Sequence, residues 1–338
     1  MASLTAQTGY LAHGRQTAQG TGVTPTDGYR TTSVGISGQA ETVVPDPESG
    51  SGRDIPLGGA IPGPFSVSGS AEAYLYVNQL ASLLPTFGFV ESGAPVTISP
   101  GVYKHTFLPD ELSWTTFEAA WGDSLAIRRW EDCLGDTMSL TAPTGAQATV
   151  SLGIVGISEL WQAAPVVPTF GTDPAGSWMG SALRIPGIGT MLLSETMWEL
   201  ANNLSTDEYV LESRFVNTIT PKRRDITGSA TARLGSTPNV VTDAYRAAMY
   251  GSKTATTPGT ALFTTAATAI FGSGKLIGAS LTERYRIEIE MPAVEIQPFP
   301  LEGSGDDVLT SSFTYRAYSN GVDPVATIEV YSDRATAY

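Results

Sequence analysis

Between Arg284 and Met291 apolar and polar residues alternate without a break, with Tyr285, Ile287, Ile289 and Met291 on one side and Arg286, Glu288 and Glu290 on the other. A period of two puts successive side chains on opposite faces of an extended chain. This stretch is therefore a strand with one face in a core and an acidic face turned toward water, a lumen or a basic partner. The short β-branched runs Val150–Val155 and Val325–Tyr331 read as strands too. Helical spacing occurs only briefly. Leu80, Leu83, Leu84 and Phe87 predict a helix over Val77–Phe87, with Asn78 as its cap and Pro85 as its early end. A second helix is predicted over Val240–Tyr250, capped by Thr242 or Asp243 and stopped by Gly251. The pattern describes a mainly β protein with short flanking helices.

Residues 1–28 are polar, rich in Gly and Thr and weakly patterned, which predicts an extended N-terminal arm. Strands from Tyr29 to Val44 and from Phe65 to Tyr76 flank the loop Pro45–Asp54 and form a long hairpin. Two strand-like zones follow, Trp114–Arg129 and Met138–Trp161, separated by an acidic turn at Glu131–Asp136. The Pro and Gly rich stretch Pro165–Gly189 reads as a linker. Beyond it, strands are expected at Thr190–Ala201, Tyr209–Ile219 and Asp225–Leu234, and then at Gly278–Glu290, Asp307–Tyr318 and Val325–Tyr331.

Val67-Ser-Gly-Ser-Ala-Glu-Ala73 matches Ile226-Thr-Gly-Ser-Ala-Thr-Ala232 at four of seven positions, 159 residues apart, and each copy precedes a predicted helix. That order predicts a tandem repeat. The expected organisation is an arm over 1–28, a first unit over 29–165, a linker over 166–189 and a second unit over 190–338. The length of 338 residues fits two domains at about 150 residues each.

Composition changes this picture in one direction. Charged residues make up only 15% of the chain, against roughly 25% in ordinary soluble domains. A neutral Ser, Thr and Gly surface is inexpensive to desolvate and suits a protein whose flanks become interfaces. Nineteen Lys and Arg against 33 Asp and Glu leave a formal charge of −14. Tight nucleic-acid binding, which runs on cations replacing counterions at phosphates, is not expected of such a chain. The single Cys133 excludes an internal disulfide and a multi-thiolate zinc site. Met1–Tyr10 lacks the basic start and apolar core of a secretory signal, and no run reaches the 18 or so apolar residues that span a bilayer.

The candidates for chemistry are few and poorly arranged. His13 and His105 are the only histidines, and both read as surface or packed side chains. Cys133, set between carboxylates, reads as an inert thiol. Gly272-Ser-Gly-Lys-Leu276 lacks the first Gly and the final Ser or Thr of a phosphate loop. Glu131 with Asp132, and Asp306 with Asp307, are adjacent carboxylates that point apart, without the spacing of a glycosidase or calcium site. Lys222-Arg223-Arg224 is the densest basic cluster and suits pairing with acidic loops better than phosphate. Trp114, Trp121, Trp130, Trp161, Trp178 and Trp198 read as core or interface, with sugar stacking as the alternative. No catalytic, cofactor-binding or metal-binding residue is predicted.

Gly14-Arg-Gln-Thr-Ala-Gln-Gly-Thr-Gly-Val-Thr-Pro25, the long hairpin, Val67-Ser-Gly-Ser-Ala71, a short helix and then strands ending in Gly-rich turns together resemble bacteriophage tail tube proteins. The resemblance runs from Gly9 to about Val330 and rests on small-residue patterns and their order. It implies a β-sandwich or half-barrel tail-tube fold, here duplicated in tandem. It also implies a non-enzymatic subunit of the virion tail, made in the host cytoplasm, that assembles with itself into stacked rings. Six chains would close a ring, or three in a pseudo-sixfold arrangement if the repeat is real. Tail terminator, distal tail and tape measure proteins would be its partners, and double-stranded DNA would pass the lumen without specific binding. No membrane partner and no cofactor are implied. The competing expectation is a virion-surface, receptor- or carbohydrate-binding β module.

Overall fold

A computed structural model describes residues 9–44, 61–121, 126–190, 193–233, 240–260, 262–300 and 310–338. Strands dominate. The first part of the chain forms β1 (Tyr10–Arg15), β2 (Asp27–Tyr29), β3 (Ser33–Val34), β4 (Ser37–Val43), β5 (Ile61–Tyr74) and helix α1 (Val77–Leu83). A 3-10 turn, Leu84–Phe87, continues α1, and then come β6 (Phe89–Glu91), β7 (Val96–Ser99), β8 (Val102–Pro109), β9 (Thr115–Trp121), β10 (Ala126–Pro143), β11 (Thr149–Gly156) and β12 (Ser158–Trp161). The second part forms β13 (Thr169–Phe170), β14 (Ser177–Ile185), β15 (Gly189–Thr190), β16 (Leu193–Ala201), β17 (Asp225–Arg233) and helix α2 (Val240–Tyr250). It closes with β18 (Thr264–Leu276), β19 (Arg284–Ile296), β20 (Thr310–Ala317) and β21 (Thr327–Ser332). No helix among the described residues is long and apolar enough to cross a membrane.

One antiparallel sheet runs through both parts in the order β4, β5, β11, β10, β16, β17, β20, β19. A second layer lies behind it in two pieces. In the first part β2, β1, β9, the N-terminal half of β10 and β12 pair in that order. The other piece runs β14, β18, β19 and β21 of the second part and then β8 of the first. Alternate side chains of both layers meet in one core that holds Leu11, Phe117, Trp130, Leu152 and Ile154 from the first part and Trp198, Phe271, Ile287, Phe313 and Tyr315 from the second.

The two parts share a pairing pattern. β1, β4, β5, β9, β10, β11 and β12 pair among themselves as β14, β16, β17, β18, β19, β20 and β21 do, in the same chain order, with a helix after β5 and after β17. Even an irregularity is shared. Trp130 pairs with Phe117 and then Cys133 with Thr115, so three steps along β10 meet two along β9. Met291 pairs with Ala267 and then Val294 with Thr265, the same offset between β19 and β18. A bulge of this kind bends its strand, and it lets β10 pass from one layer to the other.

Several local expectations are corrected. Tyr10–Arg15, expected in an unpacked arm, is a strand whose Leu11, Ala12 and His13 are buried, because β9 and β2 pair with both its edges. The expected acidic turn at Glu131–Asp136 is the bulge inside the continuous strand β10, with Asp132 at a φ of +54°. Asp tolerates that left-handed conformation, and so serves a bulge as readily as a turn. The expected linker is interrupted by strands, since β13, β14 and the start of β15 fall within it. Tyr209–Ile219 is no strand and makes the isolated bridges Tyr209 to Val216 and Phe215 to Phe65. The loop Pro45–Asp54 and the pair Asp306, Asp307 lie outside the described residues.

The helices also differ in detail. Asn78 does not cap α1 with its side chain, and its backbone N–H instead donates to Asp173 Oδ2 at 2.9 Å. Pro85 ends the helix as a 3-10 turn, as expected. Thr242 and Asp243 lie inside the first turn of α2 rather than before it. Gly251 stops α2 at a φ of +77°, its N–H returning to Ala247 O at 3.0 Å.

Candidate functional site

The candidate surface is the face of the eight-strand sheet turned away from the core, covered at Leu134 and Val155 by Val216 and Ile219 and otherwise polar along its middle. Inward residues of each strand enter the core, so the alternate ones must face away from it. In β10 these are Thr137, Ser139 and Thr141, between the buried Met138, Leu140 and Ala142. In β17 they are Thr227, Ser229 and Thr231, and in β5 Ser66, Ser68 and Ser70. Hydroxyls therefore line this face along β5, β10 and β17, whereas β16 presents Glu195, Met197 and Glu199.

A single registered row crosses β3 and seven of the eight strands, from β5 to β19. Ser33 of β3, which precedes β4 along the same edge, pairs with Glu72, and Glu72 with Ser151. Ser151 pairs with Ser139, Ser139 with Glu199 and Glu199 with Thr227. Thr227 pairs with Arg316, and Arg316 with Glu295. The row carries three carboxylates and one guanidinium. Such a surface offers phosphates few cations and excess negative charge, and its neutral hydroxyls can exchange hydrogen bonds with water without holding any one ligand. The β4 end of the sheet is open among the described residues, since β4 pairs only with β5 and its Gln39–Val43 are exposed, whereas at the other end β19 pairs with β20 and also with β18 through Val294 and Glu295.

The residues that suggested chemistry are dispersed. His13 is buried, with Nε2 3.2 Å from Ser82 Oγ, while that hydroxyl donates to Gln79 O at 2.8 Å. Burial pushes the His13 pKa down to about 4, opposed by Asp27. His105 is held between Glu91 Oε1 at 2.7 Å and Arg334 O at 2.9 Å, and its ring meets Tyr338 edge-on. It anchors the last residues to β8. Cys133 is buried, and burial first, with Asp132 and Glu131 behind it, pushes its thiol well above the ordinary range.

Gly272–Leu276 lies within the strand β18 rather than in a loop that opens a helix. Arg223 pairs with Asp225 at 3.0 Å, and Arg224 reaches Asn202 Oδ1 and Asp110 O while lying 5.3 Å over Phe89. Two members of the basic cluster thus have partners within the chain. Trp130 and Trp198 are core residues, whereas Trp161 is exposed and stacks with Arg128, which also lies over Trp121. Glu288, Glu290 and Glu329 come together on the outer layer, but Arg286 pairs with Glu288 at 2.6 Å and Lys104 with Glu329 at 2.7 Å. These cations already neutralise much of the cluster, and burial with the two neighbouring carboxylates raises the Glu290 pKa.

Sequence reasoning found the alternation of β19 and missed the row across the sheet. Its signal was present as Thr137, Ser139 and Thr141 between apolar neighbours, but the pairing of β10 with β16 joins residues more than fifty positions apart. A model of the phage tail tube protein family matches residues 6–317. No curated protein matches the chain.

Proposed function

Because this chain belongs to the phage tail tube family and its role is that of a structural tail subunit, we propose that its eight-strand sheet lines the channel of the tube. The row from Ser33 to Glu295 carries the proposal, because one polar, net acidic face spans both parts of the chain without interruption. A duplex sliding along it meets repulsion from Glu72, Glu199 and Glu295 and hydroxyls that stay hydrated. Specific DNA binding is not needed and would slow passage.

The matched pairing patterns support reading the two parts as copies of one tube unit, the first beginning at β1 and the second at β14. Three chains then close a pseudo-sixfold ring. Width supports three over six. Three sheets of eight strands, at about 4.8 Å per strand and tilts of 35–45°, enclose a wall roughly 45–50 Å across between backbones. Six chains would double that to roughly 90–100 Å, far more than a hydrated duplex requires. Closure also removes the exposed edge of β4, which would otherwise template aggregation. Rings of this kind stack with each other and meet terminator, distal and tape measure proteins at the tube's ends and lumen.

Sedimentation and negative-stain imaging of the purified protein test the proposal. Rings or tubes with a central hole are expected, and a protein that stays monomeric at every concentration and salt would contradict it.

A further inference from the structure

Beside the start of α1, three buried polar side chains leave an atom without a partner in the chain. Asp173, in the connection from β13 to β14, is 3% exposed; its Oδ2 accepts the Asn78 N–H at 2.9 Å, while its Oδ1 has no hydrogen-bond partner. The Tyr29 hydroxyl and Gln79 Nε2, both on buried residues, are unpartnered as well. Burial, and behind it the charge of Asp173, pushes the Tyr29 pKa up. Buried polar atoms in this state are costly and call for a ligand or water. Gly171 keeps the space before them open, because a Cβ there would lie 2.7 Å from Asp173 Oδ1 and 3.5 Å from Gln79 Nε2. Gly171, Gln79 and Asn78 also line a cavity of about 130 Å³ that reaches Arg334.

A second carboxylate stands at the edge of this space. Asp333, exposed just after β21, accepts Asn78 Nδ2 at 3.0 Å, so one asparagine holds both acids. Burial raises the Asp173 pKa, donation from backbone N–H groups opposes the rise, and Asp333 adds to it while Arg30 subtracts. The neighbouring cations are engaged elsewhere. Arg30 lies over the rings of Tyr76 and Phe170 at 5.2 and 5.9 Å, and Arg334 donates to Thr336 O and Ala337 O.

We propose that Asp173 and Asp333 bind a calcium ion here, with Tyr29 and Gln79 holding waters of its shell. Two carboxylates match the charge of a divalent ion, and calcium accepts carboxylate and water oxygens together in a flexible shell. Gln79 Nε2 is a donor, so it serves through a water and not as a ligand. Magnesium suits the place less well, because it demands a near-octahedral shell of short bonds. Such an ion ties the connection before β14 and the last residues of the chain to the start of α1, and so joins the second part to the first. The acidic group Glu288, Glu290 and Glu329 differs in carrying its own cations, Arg286 and Lys104.

Terbium, which replaces calcium and luminesces when excited through a nearby tyrosine, reads the site in the full-length protein. Titration should give tyrosine-excited emission that calcium competes away, and calcium should raise the thermal unfolding midpoint more than magnesium at the same concentration. Asp173→Asn should raise the concentration needed for both responses by about tenfold or more. Gly171→Ala leaves the charges in place and should weaken both through the methyl set against Asp173 Oδ1, whereas Glu290→Gln should leave them unchanged. Asp333→Asn, at an exposed position, gives the same reading should Asp173→Asn fail to fold. Emission that persists at parent strength in the Asp173 or Asp333 variant, or that disappears with Glu290→Gln, would overturn the assignment. So would a parent whose emission and unfolding midpoint ignore calcium.

Discussion

Ser139 of β10 lies directly opposite Glu199 of β16, in the strand ladder that joins the two halves of the large sheet. On the other face of that ladder Leu140 stands opposite Trp198, which is fully buried. The joint between the halves is thus apolar on its core side and polar on its free side.

Truncation at this joint should be felt by the whole molecule. Trp198→Ala removes a large buried side chain and leaves a cavity, a change that costs about 3–5 kcal/mol. Thermal unfolding followed by circular dichroism should show a midpoint lower by several degrees. An unchanged midpoint would mean that the two halves are not held through this ladder.

Gly228 sits where an added Cβ would meet the Tyr315 ring and Met197 O, and Gly69 where it would meet the backbone of Gly35 and Ile36. The shared Ser/Thr-Gly-Ser-Ala motif therefore marks two close approaches. Gly69→Ala and Gly228→Ala should each destabilise by about 1–3 kcal/mol through overpacking. Chemical denaturation would check this, and substitutions without effect would remove the physical reason for the repeat.

Acidification should weaken the subunit through His13. Its folded pKa of about 4 lies below the ordinary 6.5, so the unfolded chain binds more protons between those values, and stability falls as pH drops from 6.5 toward 4. Asp173 acts in the opposite sense, because burial raises its pKa and protonation relieves the buried charge. His13→Gln should flatten the decline in unfolding free energy over this range. A slope identical in parent and variant would contradict the assignment to His13.

Charge on the free face should decide how DNA behaves. The parent should show no binding to duplex at physiological salt. Replacing Glu72, Glu199 and Glu295 together by Lys should create binding that weakens steeply with added salt, readable by fluorescence anisotropy. Strong binding by the parent would contradict a repelling wall.

Much of the fold was legible because its signals were local. The alternation from Tyr285 to Met291 and the helical spacing from Leu80 to Phe87 depend only on near neighbours. Tyr10–Arg15 was not legible, since its mixed residues follow no clear alternation and become a core strand only when β9 and β2 flank it. Glu131, Asp132 and Gly135 read as a turn because bulges and turns draw on the same residues. Val216 and Ile219 read as strand because their apolar side chains are spent on the first half of the molecule rather than on a ladder. The cap on α1 had no local trace, as Asp173 lies far from Asn78 along the chain. The candidate face stayed hidden for a related reason. Its Ser and Thr residues are visible one strand at a time, whereas their union depends on pairings that only the folded chain reveals.

Cryo-electron microscopy of the assembled particle tests the central claim most directly. Three chains per ring are predicted, with β5, β11, β10, β16, β17 and β20 around the channel and Ser139, Glu199 and Thr227 facing it. Six chains per ring, or a map that turns this face outward, would contradict the account.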